Sequence, residues 1–391
     1  MDNPGKTALF VTVEAKFAAE LHGELKRKGW LDTDSKPHNS EDGRVGFPVV
    51  SGLDEAELRT HLTVPHAIVD GPFVARGTVD PHQRLKRAVQ AWVSTHDINT
   101  DVLEFLPTKW ERLGSLVLLP HETMMLPPWQ ALTDHAACES LWKHMAAALK
   151  ADSLGIQQPI ANDTYRSSQV QMLLGTPEVR FLDHGITYIF DASKVMFSSG
   201  NVTERRRIGG MDMHDETVVD AYAGVGYYTL PMLMLAGAAH VHACEINPAS
   251  VKGLRAAAKA NGVEARLTVH EGDNAVSLNE LNGVADRCHL GLLPSSEPVW
   301  EACLLALKPT GGMLHVHMNV EEERIEDWIS TTVKRFEDLV ERHGLNVDVE
   351  ARHLERVKWF APRVRHVVLD LMFLARREGE PPRPPSPFLP R

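Results

Sequence analysis

The stretch VVDAYAGVGYYTLP, Val218 to Pro231, decides the fold. An apolar strand ends at Asp220, a turn holding Gly224 and Gly226 follows, and a helix opens behind it. The two glycines let the backbone turn tightly and come close to a ligand. The next strand, HVHACE, ends at Glu245, about twenty residues beyond the glycines, where an acidic side chain can accept hydrogen bonds from ribose hydroxyls. A third strand ends in Glu271-Gly272-Asp273-Asn274, whose carboxylate and amide can read an adenine edge. The plain alternative is that these acids only cap helices, and the coincidence of three strand ends favours a nucleotide site instead. A dinucleotide fold carries GxGxxG with its pyrophosphate on the helix N-terminus, whereas this turn reads AGVGYY and has no third glycine. The pattern suits S-adenosylmethionine better than NAD.

Outward from this turn, the apolar runs VVDAY, HVHACEI, RLTVHEG, RCHLGLL and GGMLHVHM alternate with helical segments near 228–236, 248–261, 297–307 and 321–343. That is the rhythm of an open, mostly parallel α/β sheet with helices on both faces. Two more apolar runs, Asn346 to Glu350 and Val364 to Phe373, close the domain. Upstream, ITYIFD (Ile186 to Asp191) reads as a strand and MFSSGNVTERRR (Met196 to Arg207) as a loop entering a helix. LGSLVLLP (Leu113 to Pro120) reads as a short strand. Helices are expected over Glu14 to Lys28, over Gln83 to Thr95 and within Thr133 to Lys150. The expected organisation is an accessory region over 1–106, an α+β substrate-binding subdomain over 107–205, a Rossmann-like domain over 206–378 and a Pro-rich flexible tail over 379–391.

With 391 residues, 43% hydrophobic and 24% charged, the chain has ordinary globular composition, which disfavours disorder and fibrous repeats. Cys138, Cys244, Cys288 and Cys303 form no CxxC pair, so neither a zinc site nor a disulfide framework is suggested. They read as buried thiols of a reducing compartment. Met1 to Lys16 lacks the features of a secretory signal and no run is long enough to span a bilayer, so a cytoplasmic protein without a membrane partner is expected. A net charge of −11 argues against indiscriminate nucleic-acid binding but leaves room for a local basic face.

The chain resembles the tRNA-modifying enzymes of the guanosine N1-methyltransferase and wybutosine-synthesis family. The resemblance rests on MFSSGNVTERRRI (Met196 to Ile208), DAYAGVGYYTLP, ACEINP (Ala243 to Pro248), EGDN (Glu271 to Asn274), LGLLPSSE (Leu290 to Glu297), GGMLHVHMNV (Gly311 to Val320) and VKWFAPRVRHVVLDL (Val357 to Leu371). Weaker echoes are GWLD (Gly29 to Asp32), DGRVGFPV (Asp42 to Val49) and WERLGSLVLLP (Trp110 to Pro120). It implies a Rossmann-like S-adenosylmethionine-dependent methyltransferase fold with an N-terminal accessory region. The methyltransferase branch carries an Asn-Leu-Pro motif at the fourth strand, where the aminocarboxypropyl-transferring branch has Gly-Leu-(Ile or Leu)-Pro-Ser-Ser. This chain has Gly291, Leu292, Leu293, Pro294, Ser295 and Ser296, and so resembles the second branch. The resemblance implies transfer of the aminocarboxypropyl arm to a carbon of the 4-demethylwyosine-type tricyclic base beside the anticodon of phenylalanine tRNA, with methylthioadenosine released. Guanosine N1-methylation is the alternative, and a tRNA-binding protein without turnover is a third reading that intact Glu245 and Asp273 speak against.

The resemblance carries cofactor contacts onto Ser198, Arg205, Glu245, Asp273 and Asn274, to which the turn adds Asp220, Gly224 and Gly226. Arg205 stands where relatives often have Lys, which keeps the charge and changes the geometry. Its guanidinium suits the arm's carboxylate, while Arg206 and Arg207 are also compatible with a solvated helix start. No general base is evident. Ser295, Ser296 and His317 are the candidates for a catalytic role, although the serines lack a nucleophile elbow and positioning is the better reading for them. His315 and His317, two apart on a strand, share a face, and His289 reads as structural. Metal binding would need further ligands that the sequence does not offer. Arg206, Pro294, Lys358 and Arg363 are expected at the tRNA substrate, within a basic surface that adds Arg166, Arg180, Lys194, Arg352, Arg356 and Arg365. Trp359 and Phe360 are divided between base stacking and ordinary core. Partners implied are phenylalanine tRNA and other enzymes of wybutosine synthesis.

Overall fold

The computed structural model describes residues 7–32, 35–39, 43–72, 80–96, 98, 100–161, 163–196 and 199–377. The expected tail at 379–391 and the cofactor candidate Ser198 lie outside the described residues. The chain divides into two compact units, Met1–Arg87 and Ala88–Arg391.

In the first unit, strands β1 (Thr7–Glu14), β2 (His38–Asn39), β3 (Arg44–Pro48) and β4 (Ala67–Pro72) form an antiparallel sheet in the order β2-β3-β1-β4. Helices α1 (Ala18–Lys28) and α2 (Glu55–His61) complete it, and Leu21, Leu25 and Leu58 meet Val11, Val13 and Phe47 in its core. The helix expected from Glu14 starts at Ala18, because Thr7–Glu14 belongs to the sheet.

The boundary between units falls inside α3 (Pro81–Thr95). A four-stranded sheet follows in the order β5-β6-β7-β8, from Glu111–Leu113, Leu116–Pro120, Ser153–Gln157 and Gln171–Leu174. Helices α4 (His121–Met124), α5 (Pro127–Thr133) and α6 (Cys138–Leu149) join its second and third strands. A hairpin, β9 (Glu178–Asp183) and β10 (Ile186–Asp191), and then α7 (Val202–Gly209) lead to the large sheet.

That sheet comprises β11 (Thr217–Asp220), β12 (His240–Glu245), β13 (Leu267–Glu271), β14 (Arg287–Leu290), β15 (Gly311–Glu321), β16 (Val347–Ala361) and β17 (Val364–Ala375). Their order is β13-β12-β11-β14-β15-β17-β16; the first five run parallel and β17 runs antiparallel to both neighbours. Helices α8 (Thr229–Met234), α9 (Pro248–Ala260), α10 (Asn274–Asn279), α11 (Trp300–Ala306) and α12 (Ile325–Arg342) connect the strands. Strand alternation sorts the residues. Cys288, Leu314, Val316, Val367, Leu369 and Leu371 join Trp300 and Phe336 in one apolar layer. On the opposite side, Val218, Val241 and Ala243 pack with Leu230 and Leu254, while the alternate positions of β14, β15 and β17 carry Arg287, His289, His315, His317, His366 and Asp370, all buried. Gly311 fixes the start of β15: its φ is +91°, and a Cβ there would lie 2.0 Å from the Phe373 carbonyl oxygen. No helix among the described residues is long and apolar enough to cross a membrane.

Candidate active site

The site is built at the carboxyl ends of β11, β12, β13 and β14, where open α/β sheets place their ligands. Gly224 and Gly226 have φ of +56° and +96°, the left-handed conformations that the turn requires. A Cβ on Gly226 would lie 2.8 Å from Leu230 and 2.9 Å from Leu254, so this glycine sets how closely the turn packs on α9. The Gly224 N–H donates to Glu245 Oε2 at 2.7 Å, and the Asn247 N–H donates to Oε1 at 2.7 Å. Burial pushes the Glu245 carboxyl up, against the pull of those two backbone donors. At the end of β13, Asp273 caps α10 by accepting from the Ala275 N–H at 2.9 Å and stays exposed. The Asn274 amide donates to the Ala221 carbonyl at 2.8 Å. The structure therefore brings Gly224, Glu245, Asp273 and Asn274 together around one turn. Asp220 lies beneath it, 0% exposed, and its carboxylate accepts from the Thr229 hydroxyl at 2.7 Å.

The three arginines of α7 part company. Arg205 is buried and its Nη2 lies 3.0 Å from Asp183 Oδ2 on the β9–β10 hairpin. Arg206 is exposed. Arg207 faces inward, forking onto Glu204 at 2.8 Å through both Nε and Nη2, and onto Asp370 at 2.6 and 3.1 Å. A solvated helix start thus describes only Arg206. Sequence alone could not place Arg207, because its second carboxylate lies on β17.

Below α7, Asp370 also takes His315 Nδ1 at 2.6 Å, and His315 Nε2 lies 2.9 Å from Arg287 Nη1, which in turn holds Glu216. A guanidinium only donates, so Nε2 accepts and Nδ1 carries the proton. Burial brings His315 down to about 4, so it is neutral. His317 bonds His289 and His366, each at 3.0 Å, and is neutral for the same reason. Donor atoms of Glu204, His289 and His317 lie within 4.8 Å of one another. Both Glu204 oxygens face the Arg207 fork and both His317 nitrogens face imidazoles, so the cluster is organised as a hydrogen-bond network.

Of the catalytic candidates, Ser296 is fully buried, donating to the His317 carbonyl at 3.3 Å and accepting from Trp300 Nε1 at 3.1 Å. Its hydroxyl and the His317 ring are both engaged by buried protein groups. Ser295 is half-buried and accepts from the Glu297 N–H at 3.1 Å. Exposed Pro294 offers its carbonyl to the Asn319 N–H at 2.9 Å, and Arg166 Nη1 donates to the Leu293 carbonyl at 2.9 Å.

Lys358 is half-buried with its Nζ above Gly200, where a Cβ would come within 2.7 Å; burial, then the Arg205 charge, pushes its pKa down. Arg363 and Arg180 are exposed. Other members of the expected basic surface are paired with carboxylates: Lys194 with Asp191, Arg352 with Glu350, and Arg356 and Arg365 with Glu322. Trp359 and Phe360 are 54% and 58% exposed, so neither is core. The Arg365 guanidinium sits 3.7 Å from the Trp359 ring centroid.

Residues 180–349 match the family described as TRM5/TYW2 methyltransferase domain. The tRNA wybutosine-synthesizing protein 2 homolog of Danio rerio is 36% identical, over 92% of this chain and 97% of its own length. The tRNA wybutosine-synthesizing protein 2/3/4 of Arabidopsis thaliana is 34% identical over 92% of this chain, which spans only 39% of that relative's length. Among solved structures, that of P. horikoshii TYW2 in complex with MeSAdo superposes with a TM-score of 0.61 at 27% identity, covering 74% of this chain and 99% of the other.

Proposed function

Because the chain belongs to the TRM5/TYW2 family, on the side of wybutosine-synthesizing protein 2, we propose that it moves the aminocarboxypropyl group of S-adenosylmethionine onto the tricyclic base of phenylalanine tRNA. Methylthioadenosine is the second product. It is an S-adenosylmethionine-using transferase with a Rossmann-like methyltransferase fold. Glu245 takes the ribose hydroxyls, Asp273 and Asn274 the adenine edge, and Gly224 and Gly226 the close backbone approach. Arg205, braced by Asp183 at 3.0 Å, receives the arm's carboxylate. Ser198 joins these contacts by its place in the motif. Arg206, Lys358 and Arg363 meet tRNA phosphates, and Pro294 borders the base.

The sulfonium supplies the leaving group: the bond from sulfur to the arm breaks with its electron pair on sulfur, a bond to the base carbon forms, and that carbon loses its proton. Which carbon of the sulfonium is attacked depends on which one the site holds in line. Holding the arm at Arg205 turns it, rather than the methyl, toward the base.

The observation that carries this reading over N1-methylation is the likeness to the tRNA wybutosine-synthesizing protein 2 homolog of Danio rerio, 36% identical over 92% of this chain, and the loop Gly291 to Ser296 lacks the Asn-Leu-Pro motif. The name of the Arabidopsis relative supports partnership with other wybutosine-synthesising activities. The free thiols Cys244, Cys288 and Cys303 suit the cytoplasm. The test is to incubate the protein with S-adenosylmethionine and phenylalanine tRNA bearing the tricyclic precursor and to separate the adenosine by-products. Methylthioadenosine with a tRNA gaining the arm is expected; S-adenosylhomocysteine would establish a methyltransferase.

A further inference from the structure

Helix α7 carries Arg205, the proposed holder of the arm's carboxylate, yet little apolar surface keeps the helix in place. Among the described residues Ile208 is the one apolar side chain that α7 buries fully; its other buried side chains are Glu204 and Arg205. What fixes the helix is charge. Arg207 Nη1 and Nη2 fork onto Asp370 at 2.6 and 3.1 Å, and its Nε and Nη2 fork onto Glu204, each at 2.8 Å. Asp370 is held in turn by His315 Nδ1 at 2.6 Å, and His315 Nε2 lies 2.9 Å from Arg287 Nη1. Arg287 then grips Glu216 through Nε and Nη2 at 2.6 and 2.8 Å. Glu216 stands directly before β11, the strand that leads into the glycine turn. One line of polar contacts therefore runs from α7 across β17, β15 and β14 to the start of β11.

Apolar packing has no preferred direction, so Ile208 alone would let α7 turn about its axis. A guanidinium forked onto a carboxylate fixes an orientation as well as a distance. On a helix of 3.6 residues per turn, Arg205 and Arg207 point about 200° apart, so the rotation that seats Arg207 on Asp370 also settles where Arg205 emerges. Buried ion pairs contribute little net stability for the desolvation they cost, and what this network supplies is a single geometry. We propose that Arg207, seated on Asp370, is a positioning residue that sets the angle of Arg205 and through it which carbon of S-adenosylmethionine is transferred. This rests on the reading of Arg205 as the group that receives the arm's carboxylate. In either transfer the bond from sulfur to the attacked carbon breaks with its electron pair on sulfur, and the base atom that gains the group releases a proton to water. Attack on the arm leaves methylthioadenosine, and attack on the methyl leaves S-adenosylhomocysteine. An Arg205 turned away from the arm removes the bias toward the first.

The test uses the full chain and two substitutions that leave the core filled: Arg207→Lys keeps the charge and loses the fork, and Asp370→Asn keeps the shape and loses the charge. Both should weaken S-adenosylmethionine binding about tenfold, the range for one charge-assisted hydrogen bond, with affinity for methylthioadenosine, which has no arm, held within about twofold. In turnover with phenylalanine tRNA carrying the tricyclic precursor, arm transfer should slow about a hundredfold, the effect of an ångström of misplacement, and the share of S-adenosylhomocysteine among the by-products should rise. In the Arg205→Ala background, Arg207→Lys should add nothing to the loss of S-adenosylmethionine affinity, because residues that act through one contact are not additive. Equal losses for the two ligands in both variants overturn the proposal and mark a packing role. So do additive losses in the double variant, or by-product ratios that stay at the wild-type value. An Arg205→Ala protein that loses affinity for both ligands equally would instead overturn the reading of Arg205 on which the proposal stands.

Discussion

The Glu245 carboxylate, at the end of β12, accepts the Gly224 amide at 2.7 Å, tying one strand to the turn that follows another. The acid thereby braces two elements: one oxygen holds the glycine turn and the other accepts the Asn247 N–H at the start of α9 at 2.7 Å.

Glu245→Ala removes both functions. Hydrogen bonds to charged groups contribute about 1.5–3 kcal/mol, so the dissociation constant for S-adenosylmethionine should rise roughly ten- to hundredfold by calorimetry. Unchanged affinity would mean that the ligand binds elsewhere.

Arg205→Ala separates the arm from the rest of the ligand. Affinity for S-adenosylmethionine should fall by about tenfold or more, the range for a charge-assisted hydrogen bond, while affinity for methylthioadenosine, which lacks the arm, holds. Equal losses for the two ligands would show that Arg205 shapes the pocket instead of reading the carboxylate.

Arg207→Ala leaves Glu204 and Asp370 buried without their cation. Breaking a buried ion pair by removing one partner costs about 3–5 kcal/mol, and chemical denaturation should show a loss of that size. A change below about 1 kcal/mol would place Arg207 among ordinary surface arginines.

Acid should destabilise the fold well above the carboxylate range. Burial lowers His242, His315 and His366 to about 4 and holds His317 well below the usual imidazole range. Between pH 6.5 and about 4 the unfolded chain binds protons that the folded chain refuses, so stability rises with pH across that window and falls on acidification. Each such proton adds a slope of about 1.4 kcal/mol per pH unit. Glu204 and Glu245, raised by burial, act in the opposite sense, but four histidines outweigh two carboxyls. The melting temperature should drop steadily from pH 6.5 to 5; a flat profile there would contradict the buried, neutral state of the imidazoles.

The glycine turn, the three acidic strand ends and the alternating strands and helices were legible because each has a local signal. The edge strand β16 was not: Asn346 to Glu350 announces only its beginning, and charged residues with register shifts at Ala351/His353, Arg356/Lys358 and Trp359/Ala361 hide the rest. The short helix α10, six residues, has too few turns to show periodicity. Trp359 and Phe360 are exposed because they sit at the end of the β16–β17 hairpin, beyond the layer that would cover them. Asp183, Asp370 and His366 escaped notice for one reason: each acquires its setting from a strand or helix remote in sequence. The alternation of His315 and His317 on β15 was the one clue within reach.

Gly311 has no chemistry of its own and opens β15, four residues before His315. A methyl group there would strike the Phe373 carbonyl at 2.0 Å and push β17 out of step. A slip of one residue turns a strand's whole side-chain set over, carrying His366 and Asp370 out of the polar layer and into the apolar one on the far side. The vulnerability of this protein to mutation therefore extends to the opposite end of β15 from the carboxyl edge of the sheet, and a variant at Gly311 would present as a defect in several buried ion pairs at once.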